Sequence, residues 1–95
     1  MIRRQAPKAG NVKVTFALPD TDVNVSVVGE FNDWDPLAHP LKKRTNGTRS
    51  VVVEIPAGRA YQFRYLAEGG VFFNDDMADT FEPNDRGEEH SILQL

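Results

Sequence analysis

The feature that most limits what this chain can fold into is an alternation of apolar side chains with a period of two, recurring along most of its length while a helical period is almost absent. V-K-V-T-F-A-L places Val12, Val14, Phe16 and Leu18 on one face and Lys13 and Thr15 on the other. After a turn at Pro19 to Asp22, V-N-V-S-V points Val23, Val25 and Val27 inward. Leu41-Lys42-Lys43-Arg44, then Thr45-Asn46-Gly47, then Ser50 to Ile55 read as a hairpin about Asn-Gly, with Val51, Val53 and Ile55 facing in. Pro56-Ala57-Gly58 turns into a run in which Tyr61, Phe63 and Tyr65 alternate with Gln62 and Arg64. Glu68-Gly69-Gly70 turns again into Val71-Phe72-Phe73, residues 74 to 89 carry no period and read as a loop, and H-S-I-L-Q-L closes the chain. A strand with one apolar face needs a second sheet to cover it, so about seven short antiparallel strands predict an all-β, immunoglobulin-like β-sandwich.

Ninety-five residues supply one modest core and leave no room for a second domain. The basic start M-I-R-R-Q-A-P-K-A-G lacks the apolar run of a secretory signal, and residues 1–10 are expected to form a flexible N-terminal arm ahead of a sandwich domain at 11–95. No apolar stretch reaches the ~20 residues a membrane helix needs. The absence of cysteine removes disulfides and thiolate chemistry and fits a reducing compartment, so a cytoplasmic location is expected, with no glycan at Asn24-Val25-Ser26 or Asn46-Gly47-Thr48.

The residue pattern supports few kinds of chemistry. A net charge of −3 argues against nucleic acid, and Lys42-Lys43-Arg44 is a short run without interleaved aromatics. Glu30, Asp33 and Asp35 are close enough to imagine as a glycosidase pair, but such a pair needs a cleft and one raised pKa, and solvated turn residues fit the pattern better. His39 and His90 have neither a nearby serine nor a metal-ligand spacing. The acid-rich stretch containing Asp75, Asp76, Asp79, Glu82, Asp85, Glu88 and Glu89 lacks the spacing of a calcium loop and reads as a solvated loop. No catalytic residue, metal or cofactor is assigned.

What remains is V-V-G-E-F-N-D-W-D-P, which holds the only tryptophan. Residue type alone would bury Trp34. Phase does not: Val23, Val25, Val27, Gly29 and Phe31 share one parity, whereas Trp34 follows the polar pair Asn32-Asp33 and falls off it.

These residues carry a family resemblance. G-E-F-N-D-W-D-P resembles the G-x-F-N-x-W signature of glycogen-binding modules of the carbohydrate-binding module family 48 type, found in the β subunit of AMP-activated protein kinase and ahead of the barrel in isoamylases and branching enzymes. I-P-A-G, Y-Q-F-R-Y-L-A-E-G, N-D-D-M-A-D and G-E-E-H-S-I-L follow in order and resemble that family's L-P-x-G, Y-x-F-K-F-x-V-D-G, N-D-P-x-A-D and G-G-E-N-S-V-L. The likeness runs over residues 11 to 95. It implies an early-set sandwich whose exposed aromatic face holds α-1,4-linked glucan (glycogen, starch or malto-oligosaccharide), with sugar rings stacked on aromatics and hydroxyls hydrogen-bonded at their edges.

Carried over by position, Trp34 matches the first stacking tryptophan. Arg64 stands where the family has lysine, and Phe72 takes the place of the second tryptophan. His90 replaces an asparagine that contacts sugar, and Arg86 falls at a leucine pressed on the glucan. Those departures, with aromatics that serve proteins as readily as sugars, motivate an alternative: a stand-alone early-set domain used for protein contact or as a homodimer, with sugar binding lost.

Overall fold

A computed structural model describes residues 1–84 and 86–95; Asp85, counted above in the acid-rich stretch, lies outside the described residues. The alternating segments pair into strands β1 (Ile2–Arg4), β2 (Asn11–Pro19), β3 (Val25–Gly29), β4 (Lys42–Lys43), β5 (Thr48–Pro56), β6 (Ala60–Ala67), β7 (Val71–Phe73), β8 (Thr80–Pro83) and β9 (Glu89–Gln94). One sheet has the order β1-β2-β5-β4; the other runs β3-β6-β9-β8, with β7 also on β6. The described pairings are all antiparallel, and the two sheets close on each other as the expected all-β sandwich.

The inward parity is the one the alternation predicts: Val12, Val14 and Phe16 of β2, Val53 and Ile55 of β5, and Tyr61, Phe63 and Tyr65 of β6 are buried in one cluster. Phe16 joins the layers, its ring 5.4 Å from Phe63 and 6.4 Å from Tyr65. The Asn46-Gly47 hairpin forms as predicted, with Lys42 opposite Ser50 and Lys43 opposite Arg49.

Three expectations need correction. The N-terminal arm over residues 1–10 contains an edge strand: Ile2 lies opposite Phe16 and Arg4 opposite Val14, and Lys8 bridges Asn11. Three residues are too few to show a period, and only Ile2, packed against the core, marks the segment as more than a charged tail. Val23 is exposed and precedes β3, which begins at Val25. The stretch from 74 to 89 is not wholly a solvated loop: it contains β8, whose four residues are all exposed and so carry no alternation, and it buries Asp75 to 2% exposure.

Asp75 is buried because its carboxylate completes a polar network under β9. It accepts the Tyr65 hydroxyl proton at 2.6 Å and the Met77 backbone N–H at 2.8 Å, while Asp75 N–H donates to Ser91 Oγ. Asn74 Oδ1 accepts from both the backbone and the hydroxyl of Ser91, and its amide donates to the Glu89 carbonyl. Burial, and then the bond to Asp75, push the Tyr65 phenol far above its ordinary range, so it stays a donor. Replacing Tyr65 by Phe removes the short hydrogen bond to Asp75 Oδ2 and leaves that buried oxygen with the N-terminal ammonium at 3.7 Å. We expect a loss of about 1–3 kcal/mol in chemical denaturation.

Candidate functional site

The outer face of the second sheet is built by register. With Tyr61, Phe63 and Tyr65 pointing in, Gln62 and Arg64 of β6 point out; Val28 lies opposite Arg64, Ile92 opposite Gln62, and Phe72 opposite Leu66. His90 lies opposite Glu82 on β9 and β8. Phe73, one residue beyond Phe72, turns inward and packs 5.3 Å from Tyr65. The alternation thus leaves Phe72, 47% exposed, as the outward aromatic of β7.

Trp34 reaches this face from the other direction. β3 ends at Gly29, and Glu30–Asn32 form a 3-10 turn in which Phe31 packs 5.7 Å from Phe16. Asn32 locks the turn: its Oδ1 accepts the Gly29 N–H at 3.0 Å and its Nδ2 donates to the Val27 carbonyl at 3.0 Å. Asp33 and Trp34 follow with φ of 56° and 58°, and the Trp34 N–H donates to the Gly29 carbonyl at 2.9 Å. Two successive left-handed residues reverse the chain, which is why Trp34 leaves the buried parity. A bulky side chain in that region is an outlier that the surrounding bonds must hold in place. The indole is half-buried, its ring 5.1 Å from that of His90.

All five residues singled out from the sequence, Trp34, Arg64, Phe72, Arg86 and His90, line one open cleft of about 420 Å³, together with Asn84 and Glu88. Arg64 forms part of its wall, its side chain only 13% exposed. Its guanidinium carbon sits 5.3 Å from the centre of the Phe72 ring, a cation–π arrangement, and Nη1 donates to Glu88 Oε2 at 3.0 Å. Its Nε is buried and has no partner among the described residues. His90 Nδ1 is 3.0 Å from Gln62 Oε1, while Gln62 Nε2 donates to Glu82. A carbonyl oxygen can only accept, so the His90 proton sits on Nδ1 and leaves Nε2 of the neutral ring to accept.

Asn84 and Glu88 escaped sequence reasoning because they lie in the acid-rich run that reads as solvated. Asn84 Oδ1 accepts from the backbone N–H of both Arg86 and Glu88, folding the tip that carries Arg86 into the cleft wall. An asparagine three residues before a glycine, Asn84 and Gly87, is the turn signal that could have pointed there. The cleft therefore brings together two aromatic side chains, guanidinium donors and a carboxylate acceptor in an open setting. Flat rings that are apolar on their faces and rich in hydroxyls at their rim fit that chemistry.

Residues 8–83 match the family described as Carbohydrate-binding module 48 (Isoamylase N-terminal domain). The matched span includes Trp34, Arg64 and Phe72 and stops before Arg86 and His90. Among similar proteins is the 1,4-alpha-glucan branching enzyme GlgB of Novosphingobium aromaticivorans, 44% identical over 50 residues, covering 50% of this chain and 7% of the enzyme. The enzyme of the same name from Synechococcus elongatus is 30% identical over 71 residues, covering 74% of this chain and 9% of the enzyme. That from Mesorhizobium japonicum is 43% identical over 49 residues, covering 50% of this chain and 7% of the enzyme. The chain thus corresponds to a small part of these relatives. With a match across most of its length, the chain belongs to the carbohydrate-binding module 48 family.

Proposed function

We propose that this module holds α-1,4-linked glucan, as glycogen, starch or malto-oligosaccharide, in the cleft between Trp34 and Phe72 without catalysing any change in it. The observation that carries this reading is the convergence of Trp34, Arg64, Phe72, Arg86 and His90 on one cleft from separate strands and turns. Stacking on Trp34 and Phe72 supplies the apolar contact; Arg64, Arg86, Glu88 and His90 meet the hydroxyls at the rim. The relatives' names refer to a 1,4-alpha-glucan, which agrees with this ligand class; their branching activity is not carried over, because the chain covers so little of their length. Affinity is weak, since an open face buries much less of a ligand than a closed pocket.

The test is a titration of Trp34 fluorescence with maltoheptaose, in which a single tryptophan makes the signal unambiguous. A saturable shift, absent with an oligosaccharide of β-linked glucose, is expected. A flat response accompanied by a concentration-dependent dimer in solution would turn the reading toward protein contact.

A further inference from the structure

His39 lies outside the cleft, yet its ring touches the device that sets Trp34. Asn32 Nδ2 is 2.9 Å from His39 Nδ1. The orientation of the Asn32 amide is fixed by two groups with no choice of role. The Gly29 N–H can only donate, so it takes Oδ1; the Val27 carbonyl can only accept, so it takes Nδ2. The nitrogen facing His39 is therefore a donor, and Nδ1 must be the unprotonated acceptor, with the proton of the neutral ring on Nε2. An imidazolium has N–H at both positions and would set donor against donor.

Backbone contacts reinforce the link. The His39 carbonyl accepts the Val27 N–H at 3.1 Å, and Pro40 bridges Ser26, so the segment carrying His39 lies along β3. The ring also faces Phe31 at 6.4 Å. Among the described residues no carboxylate comes within ion-pair reach of it. Glu30 bonds the Gln62 N–H and Arg59, Asp35 accepts the Leu37 N–H, Asp33 is exposed, and β3 carries no charged side chain.

We propose that His39 is a positioning residue for the glucan site: its unprotonated Nδ1 completes the Asn32 clamp that fixes the Trp34 turn, and protonation of the ring opens that clamp. This rests on the glucan-binding reading above and adds that platform geometry responds to acid through a residue that does not touch the sugar. Histidine is the side chain suited to such a role, because its proton comes and goes in the neutral to mildly acidic range.

The test uses His39→Ala and His39→Asn. Asparagine carries an acceptor oxygen at the place of Nδ1 but does not titrate. His39→Ala is expected to weaken maltoheptaose binding roughly three- to tenfold, the effect of one lost hydrogen bond, with its circular dichroism spectrum unchanged. His39→Asn should bind as the parent does. Acidification should weaken the parent more than His39→Asn, over the interval in which NMR shows His39 taking up its proton; His90 is common to both proteins, so the difference between them isolates His39. Equal affinities for the two variants, or equal acid sensitivity of the parent and His39→Asn, would overturn the proposal. If the parent binds no maltoheptaose, the glucan reading fails separately, and the clamp is read without sugar. The Asn32 side-chain amide signals should then move with His39 protonation in the parent and stay fixed in His39→Asn, and motionless signals in the parent would overturn the clamp.

Discussion

Replacing Trp34 by Ala is expected to abolish retention on glycogen while the sandwich stays folded. An indole carries some 150–250 Å² of apolar surface, of which the half-buried Trp34 leaves about half free; if a glucose ring covers that half, the loss is about 2 kcal/mol, or roughly thirtyfold in affinity. On a shallow site that is the difference between measurable binding and none. The effect on stability depends on which residue replaces the tryptophan. Trp34 is half-buried and stands at φ 58°, where any side chain with a Cβ is strained by about 1–2 kcal/mol. Trp34→Gly should therefore melt higher than Trp34→Ala, by about 4–8 °C for each kcal/mol of strain relieved, and both should lose the sugar. Retention of glycogen binding by both variants would remove the stacking platform from the explanation. Equal melting temperatures would show that the left-handed backbone at Trp34 carries no strain.

The sequence exposes the parts of this molecule that depend on periodicity. Tyr61, Phe63 and Tyr65 announce both the buried side of β6 and, by exclusion, the outward placement of Gln62 and Arg64, so one half of the cleft follows from a count of alternate residues. Trp34 was separable from the core by the same count, although not the reason for its exit, which lies in two left-handed residues and an amide clamp. Polar interactions leave no such trace. Asp75 and Asn74 look like solvent residues in an acidic run, and only the fold shows that they fill the hydrogen-bonding needs of Tyr65, Ser91 and Glu89. Glu88 looks equally bland, yet it holds the guanidinium of Arg64. The N-terminal strand was hidden for a different reason: an edge strand of three residues takes its register from its neighbour, and nothing within Ile2 to Arg4 specifies it.

Gly29 is the residue whose replacement should do most damage to the fold, and the cause is space rather than torsion. Its φ and ψ, −175° and −173°, are extended values open to any residue. A Cβ built there, however, would lie 2.6 Å from the Gln62 carbonyl oxygen, 2.7 Å from Phe63 Cβ and 3.0 Å from Phe31 Cε2. Two of these neighbours belong to β6, which β9 holds in place from its other side through Gln62 opposite Ile92 and Phe63 opposite Ser91. β6 cannot retreat, so the end of β3 must. That end is also the anchor of the site, because Gly29 donates to Asn32 and accepts from the Trp34 N–H. Overpacking of this kind costs about 2–3 kcal/mol, which corresponds to a fall of about 10–20 °C in melting temperature for a domain of this size. Gly47→Ala provides the contrast: open space surrounds that position, but its φ of 81° disfavours a side chain, and about 1 kcal/mol is expected. If Gly29→Ala melts no lower than Gly47→Ala, β3 and β6 do not approach so closely. If it melts far lower and its folded fraction at low temperature also binds maltoheptaose more weakly, the glycine of G-E-F-N-D-W serves the sheet and the tryptophan turn through one close contact.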